Sequence, residues 1–160
     1  MRRVLFVCTG NICRSPTVES VFRAVVARER LSRLISTDSA GTHDYQLGQP
    51  PDVRAVVAAW RHGYELRRRV ARQVAGDDFE RYDWILAMDR SNLDTLRHLR
   101  PAEYKGHLGL FLDFAPELGV RDIPDPYYGV ADDFERVIEL AEQGAEPLLA
   151  AVRATLDSGP

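Results

Sequence analysis

Cysteine is scarce in this chain. Among 160 residues there are two, Cys8 and Cys13, and both fall within one stretch, VCTGNICRSPT (7–17). So small a supply excludes a disulfide framework, and two free thiols read as packed residues or as reactive ones. A thiolate metal centre is disfavoured as well, because His43, His62, His98 and His107 are scattered rather than clustered. No apolar run is long enough to span a bilayer. The opening MRRVLFVCTG pairs a basic start with a brief apolar stretch. That stretch is too short for a secretion signal and runs straight into Asn11 and Arg14, so it reads as a buried strand. The expectation is a cytoplasmic protein without a membrane partner. A net charge of −3 argues against nucleic acid as a partner. Internal repeats, low-complexity tracts and Pro/Ser-rich linkers are also missing, which predicts one domain over 1–160.

What is present alternates between strand-like and helix-like segments. Arg3 to Val7 is continuously apolar after its first residue, as a strand covered on both faces should be. Val18, Val21, Phe22, Val25 and Val26 then fall on one helical face, with Glu19, Arg23 and Arg30 elsewhere, and Pro16 suits a first helical turn. A short second strand is predicted around Leu34 to Ser39. A helix is expected from about Asp52 to Arg61, stopped at Gly63. Asp77 or Asp78 caps a brief helix through Phe79. Trp84 to Met88 reads as a third strand, Ser91 to Leu99 as a helix ended by Pro101, and His107 to Leu112 as a fourth strand. The last element runs from about Ala131 to Leu156, with Pro147 expected to kink or divide it. The order predicts an α/β fold, a mainly parallel sheet with helices on both faces. Ligands of such sheets sit beyond the carboxyl ends of the strands, where 7–17 lies.

A strand–loop–helix junction aims backbone N–H groups and a helix N-terminus at one point, making an anion site. Gly10 permits a tight backbone path, and Asn11 tolerates a left-handed conformation. Arg14 adds a planar fork of donors matched to two phosphate oxygens. A cysteine at the mouth of such a cradle is favoured as thiolate, the nucleophilic form, and Ser15 is placed to donate a hydroxyl to it. The loop thus offers a sulfur nucleophile beneath a bound oxyanion. A nucleotide-binding loop is disfavoured, since Gly-x4-Gly-Lys-Ser/Thr is absent.

Sulfur attack on a phosphate ester needs a proton for the leaving oxygen, and the later hydrolysis of the cysteinyl phosphate needs a base. DIPDPYYG (122–129) supplies one carboxyl for both steps, Asp125, with Pro124 and Pro126 restricting the backbone on either side. Tyr127 and Tyr128 follow, placed to flank a flat aromatic substrate.

With these residues in view, the chain resembles the low-molecular-weight protein tyrosine phosphatases over nearly its whole length. VLFVCTGNICRSP looks like that family's phosphate-binding loop and DPYYG like its general-acid loop. DSAGT, GQPPD, RHGY, VARQV, YDWILAMDRSNL and DDFE occur between or after them in matching order. The resemblance implies a four-stranded parallel sheet flanked by helices, with no metal or other cofactor. It implies Cys8 as nucleophile, Arg14 as phosphate clamp and Asp125 as acid, then base. Thr9, Gly10, Asn11, Ile12, Cys13 and Ser15 form the binding loop, and Tyr45, Tyr127 and Tyr128 line the cleft. The expected partner is a phosphotyrosine-containing protein and the product inorganic phosphate, with the enzyme a monomer or weak homodimer. Arg69 stands where several members carry a histidine, and Arg90 where some carry an acid.

Three rivals are weaker. An arsenate reductase on this fold needs further cysteines, and none follows Cys13. Phosphoarginine phosphatases, by resemblance, carry a small polar residue where this chain has Ile12. A non-catalytic phosphotyrosine-binding module needs no nucleophile paired with an acid. Arg67-Arg68-Arg69 reads as a solvated basic turn, with docking of an acidic phosphopeptide as the sharper alternative. His62 and Trp60 are read as structural. Cys13 reads as a small residue packed behind the cradle, with a reversible Cys8–Cys13 disulfide that spares Cys8 from over-oxidation as the sharper alternative.

Overall fold

The computed structural model describes residues 1–158. Four strands, β1 (Arg2–Cys8), β2 (Ile35–Gly41), β3 (Trp84–Ala87) and β4 (His107–Leu110), form one sheet in the order β2-β1-β3-β4. Every pairing is parallel, with Val4 opposite Thr37 on one side and opposite Trp84 on the other. The helices α1 (Arg14–Arg28), α2 (Val53–Arg61), α3 (Asp78–Arg81), α4 (Arg90–Leu99) and α5 (Ala131–Leu156) cover the two faces.

The apolar run of β1 has the expected cause. Val4 and Phe6 pack under α1 and α5 with Val18, Phe22, Val137 and Ala141. Leu5 and Val7 face the other way, onto Phe79, Leu93 and Leu96 from α3 and α4. Because β2 and β3 flank β1, the chain winds in opposite directions from it. The crevice between diverging connections therefore opens at the C-terminal end of β1, at Cys8.

Two expectations need correction, the extent of the fourth strand and the division of the last helix, and two charged positions gain definition. The fourth strand stops at Leu110, and Phe111–Phe114 turns in a 3-10 helix. That turn seats Phe111 under α5, where a Cβ on Gly144 would lie 2.5 Å from the Phe111 ring. Pro147 does not divide α5, which runs unbroken. Gln143, four residues earlier, is exposed, so the carbonyl that Pro147 leaves without a donor lies on the watered side. Glu19, off the apolar face of its helix, is nonetheless buried. It is 2% exposed, and its carboxylate accepts from Thr37 Oγ1 (2.5 Å), Arg67 Nε (2.8 Å) and Arg23 Nη1 (2.6 Å). The basic turn is correspondingly less free than its composition suggests. Arg67 holds Glu19, Arg69 Nη1 lies 2.8 Å from Asp38, and Arg68 alone of the three makes no ion pair among the described residues.

Candidate active site

Residues 9–13 join the end of β1 to the start of α1, and their conformation is set by one residue. Asn11 has φ 60°, in the left-handed region expected of it. Its side chain explains why asparagine is suited to this position. Nδ2 donates to Ser15 Oγ (3.0 Å) and Ser39 Oγ (2.9 Å), and Oδ1 accepts from Arg72 N–H (3.0 Å). The loop is thereby tied to α1, to β2 and to the segment before α3. Its outward carbonyls are satisfied too: Thr42 N–H donates to Cys8 O, His43 N–H to Thr9 O and Asp52 N–H to Ile12 O.

Inside the curl sits Cys8 Sγ, accepting from Asn11 N–H at 3.3 Å and lying 3.0 Å from Ser15 Oγ. Ser15 Oγ accepts from Asn11 Nδ2, and its own proton has two acceptors in reach, the sulfur at 3.0 Å and the more distant Ala40 O at 3.4 Å. Gly10 contributes differently from expectation. It has no positive φ, and the missing side chain instead leaves room for Gln46, whose Cγ would lie 3.2 Å from a Cβ there. The glycine that lets a neighbouring strand approach the loop backbone is Gly41, at the end of β2. A Cβ there would stand 2.6 Å from Thr9 O. Gly41→Ala should therefore push the loop off its seat, lowering stability by about 1–3 kcal/mol and cutting turnover. A urea midpoint and kcat measured on the same preparation check both effects.

Arg14 is buried and held on three sides. Nη1 donates to Asp89 Oδ2 (2.6 Å) and to Ile123 O (3.0 Å), and Nη2 donates to Thr9 Oγ1 (3.2 Å). Burial works against its charge, but Cys8, Asp89 and Asp125 outweigh burial and raise its pKa further, so it stays a cation. Asp89 serves two elements: its other oxygen accepts from Asn92 N–H at 2.7 Å, capping α4. Asn92 Nδ2 donates to Thr9 Oγ1 at 3.0 Å, so Thr9 is a brace between α4 and Arg14. Neither Asp89 nor Asn92 was singled out from sequence. The signal available was a carboxylate at the C-terminal end of the strand beside β1.

The acid loop is brought over by Ile123, fully buried, whose N–H donates to Met88 O just beyond β3. Asp125 then lies at the rim, half exposed, with Oδ2 3.7 Å from Arg14 Nη2 and Oδ1 accepting from Tyr127 N–H (3.1 Å). A cleft of about 270 Å³ opens above Cys8, walled by Ile12, Cys13, Arg14 and Asp125 and rimmed by Tyr45, Gln46, Tyr127 and Tyr128. Tyr45 stacks on His43 at 4.8 Å, and Tyr127 meets Tyr128 edge-on at 4.8 Å. Arg54, at the start of α2, lies over the Tyr127 ring (5.6 Å) and donates to Tyr127 O (2.9 Å). It too was not singled out. Cys13 is buried with a free thiol. Burial first, then Asp52, Cys8 and Asp125, push its pKa far up, so it is a neutral packing group against Ala55 and Ala59. Trp60 is 70% exposed and His62 pairs with Glu135 at the end of α2.

All twelve residues expected at the site therefore gather around one cleft, with Asn11 and Ser15 beneath its floor. Chemically, this is a sulfur nucleophile with two donors, a fixed guanidinium and a carboxyl at the rim. Comparison with known proteins points the same way. A family model described as low molecular weight phosphotyrosine protein phosphatase matches residues 3–158. A protein-tyrosine-phosphatase of that class from Streptomyces coelicolor is 43% identical over 158 residues, covering 97% of this chain and 96% of its own. YfkJ of Bacillus subtilis, another, is 39% identical over 153 residues, covering 96% and 97%. The crystal structure of a protein tyrosine phosphatase from Entamoeba histolytica, with Hepes in its active site, superposes with a TM-score of 0.93. It is 36% identical and covers 98% of this chain and 99% of its own. The chain belongs to the low molecular weight phosphotyrosine protein phosphatase family.

Proposed function

We propose that this chain, as a single catalytic domain over 1–160, hydrolyses phosphotyrosine in proteins, with Cys8, Arg14 and Asp125 as its catalytic residues. The observation that carries this reading is Cys8 Sγ at the cleft floor, with Asn11 N–H and the Ser15 hydroxyl directed at it and Arg14 alongside.

The phosphoryl group sits in the loop 9–13, against its backbone N–H groups and the N-terminus of α1. Arg14 grips two of its oxygens, braced by Asp89, Ile123 O and Thr9. The Cys8 thiolate attacks phosphorus, forming the S–P bond as the bond to the tyrosine oxygen breaks. Asp125 delivers a proton to that oxygen, and tyrosine departs. The same carboxylate then takes a proton from water, which attacks phosphorus and releases inorganic phosphate and the thiolate. Tyr45, Tyr127 and Tyr128 flank the substrate ring, and Ile12 offers it an apolar edge. We place the enzyme in the cytoplasm, where the two free thiols, Cys8 and Cys13, stay reduced.

The test compares kcat/KM for a phosphotyrosine peptide and the matching phosphoarginine peptide, with acid quenching to trap the intermediate. The expected result is a preference for phosphotyrosine of about 100-fold or more, with phosphate recovered on Cys8. A preference for phosphoarginine overturns the substrate, and a quenched enzyme without Cys8-bound phosphate overturns the covalent route.

A further inference from the structure

Helix α2 is turned inside out. Its small residues, Ala55, Ala58 and Ala59, face inward against Ile12, Cys13, Phe134 and Ile138. Its large apolar residues face solvent: Val53 is 74% exposed, Val56 40%, Val57 43% and Trp60 70%. These four stand at i, i+3, i+4 and i+7, the spacing of a helix face that packs against something. The alanines have a reason, since they let α2 approach the phosphate-binding loop closely. Nothing within the described residues covers the outer stripe, and a contiguous apolar patch of this kind marks an interaction surface.

Three observations say what covers it. The N-terminal end of α2, where the stripe begins, abuts the catalytic cleft. Asp52, the cap of α2, donates its N–H to Ile12 O at 2.8 Å, and Arg54 holds Tyr127 on the rim. The stripe then leads away from the cleft, and seven residues of helix carry it about 10 Å from Val53 to Trp60. Its surroundings carry arginines as well as Glu65 and Glu135, and the cation left without a carboxylate among the described residues is Arg68. On one side a groove of about 510 Å³ runs between Trp60 and the turn carrying Arg68, the arginine without an ion pair among the described residues. On the other, a groove of about 240 Å³ includes Arg61, whose Nη1 lies 4.0 Å from Glu135. Finally, the patch is small. Four such side chains present on the order of 400 Å², about half of the ~800 Å² per partner that a stable protein pair buries. A patch of that size suits a ligand already tethered nearby, for which the second contact is intramolecular.

We infer that the outer face of α2, with Arg68 beside it, is an auxiliary docking site for the substrate polypeptide itself. Its occupant is an acidic, apolar segment three to six residues to one side of the phosphotyrosine. This rests on the proposed phosphotyrosine activity and adds where sequence selectivity is read. Because the stripe departs from the cleft in one direction, only one flank of the phosphotyrosine reaches it.

The experiment uses three phosphotyrosine peptides with the enzyme and its Val57→Ser/Trp60→Ser variant. One peptide carries a Phe/Leu/Asp/Glu segment before the phosphotyrosine, one carries it after, and one has Gly/Ser flanks. Free phosphotyrosine is the control for the catalytic centre. The expected result is a KM about tenfold lower for one of the two extended peptides than for the Gly/Ser peptide. That advantage should vanish in the variant, with kcat/KM for free phosphotyrosine unchanged. Arg68→Ser should remove part of the advantage and most of its salt dependence. Equal KM for all three peptides on the unaltered enzyme overturns the docking site. So does a variant that loses equally on free phosphotyrosine, or a concentration-dependent dimer abolished by Trp60→Ser, which makes a second copy the occupant. Turnover of free phosphotyrosine through a Cys8-bound phosphate stands or falls independently of these results, so a failed docking site leaves the proposed activity intact.

Discussion

Cys8→Ser abolishes turnover, with kcat falling by at least ~10⁴-fold, while the cradle keeps its grip on phosphate. The two halves of this expectation have separate causes. A serine hydroxyl does not ionise near neutral pH, so the loop's donors have no anion to activate, and oxygen replaces a far better nucleophile. The surroundings lose little. The substitution conserves shape, and the new hydroxyl finds Asn11 N–H and Ser15 Oγ where the sulfur had them. Arg14 keeps its bonds to Asp89, Ile123 O and Thr9. Inorganic phosphate should therefore still raise the melting temperature of the variant, as binding to the native state alone requires. Cys13→Ala is the contrast. That thiol is neutral, makes no hydrogen bond among the described residues and packs with alanines of α2, so kcat should change by no more than about threefold. Phosphate release by Cys8→Ser at an undiminished rate, or a collapse of activity in Cys13→Ala, would exchange the roles assigned to the two thiols.

How much of this was legible in the sequence depends on whether a residue acts through its neighbours in the chain or across the fold. The cradle is local. Strand, loop and helix follow one another within VCTGNICRSPT, so Asn11's left-handed turn and Ser15's reach to Cys8 follow from residue type and order. The parallel sheet was also readable, because β1 and β3 are apolar on both faces and each crossover carries a helix. Asp89, Asn92 and Gly41 act across the sheet. Their importance comes from β1 lying between β2 and β3, and no local pattern contains that order. Burial was not legible where charge meets charge. Glu19 falls off the apolar face of its helix, yet it is buried and draws Arg67 and Arg23 onto itself, while Arg68 stays exposed. The apolar stripe of α2 deceives in the opposite sense, since periodicity marks a face without saying whether the core or a partner receives it.

Asp125→Asn carries the second large effect, and it separates the two steps of the reaction. The amide keeps an oxygen to accept from Tyr127 N–H, and Pro124 and Pro126 still fix the loop, so geometry is retained while the transferable proton is lost. For phosphotyrosine, whose leaving phenol has a pKa near ~10, kcat/KM should fall by about 10²–10³. For a dinitrophenyl phosphate, whose leaving group departs unaided, kcat/KM should fall by less than about tenfold. The comparison must be made on kcat/KM, because that ratio reports formation of the cysteinyl phosphate and not its breakdown. Breakdown needs Asp125 as base whatever the leaving group was. With the dinitrophenyl ester the variant should thus form its intermediate quickly and hydrolyse it slowly. A burst of dinitrophenol equal to the enzyme concentration, followed by a slow steady state and phosphate retained on Cys8, is the expected record. Equal losses in kcat/KM for the two esters would deny Asp125 the role of acid. A rapid steady state without a burst would deny it the role of base.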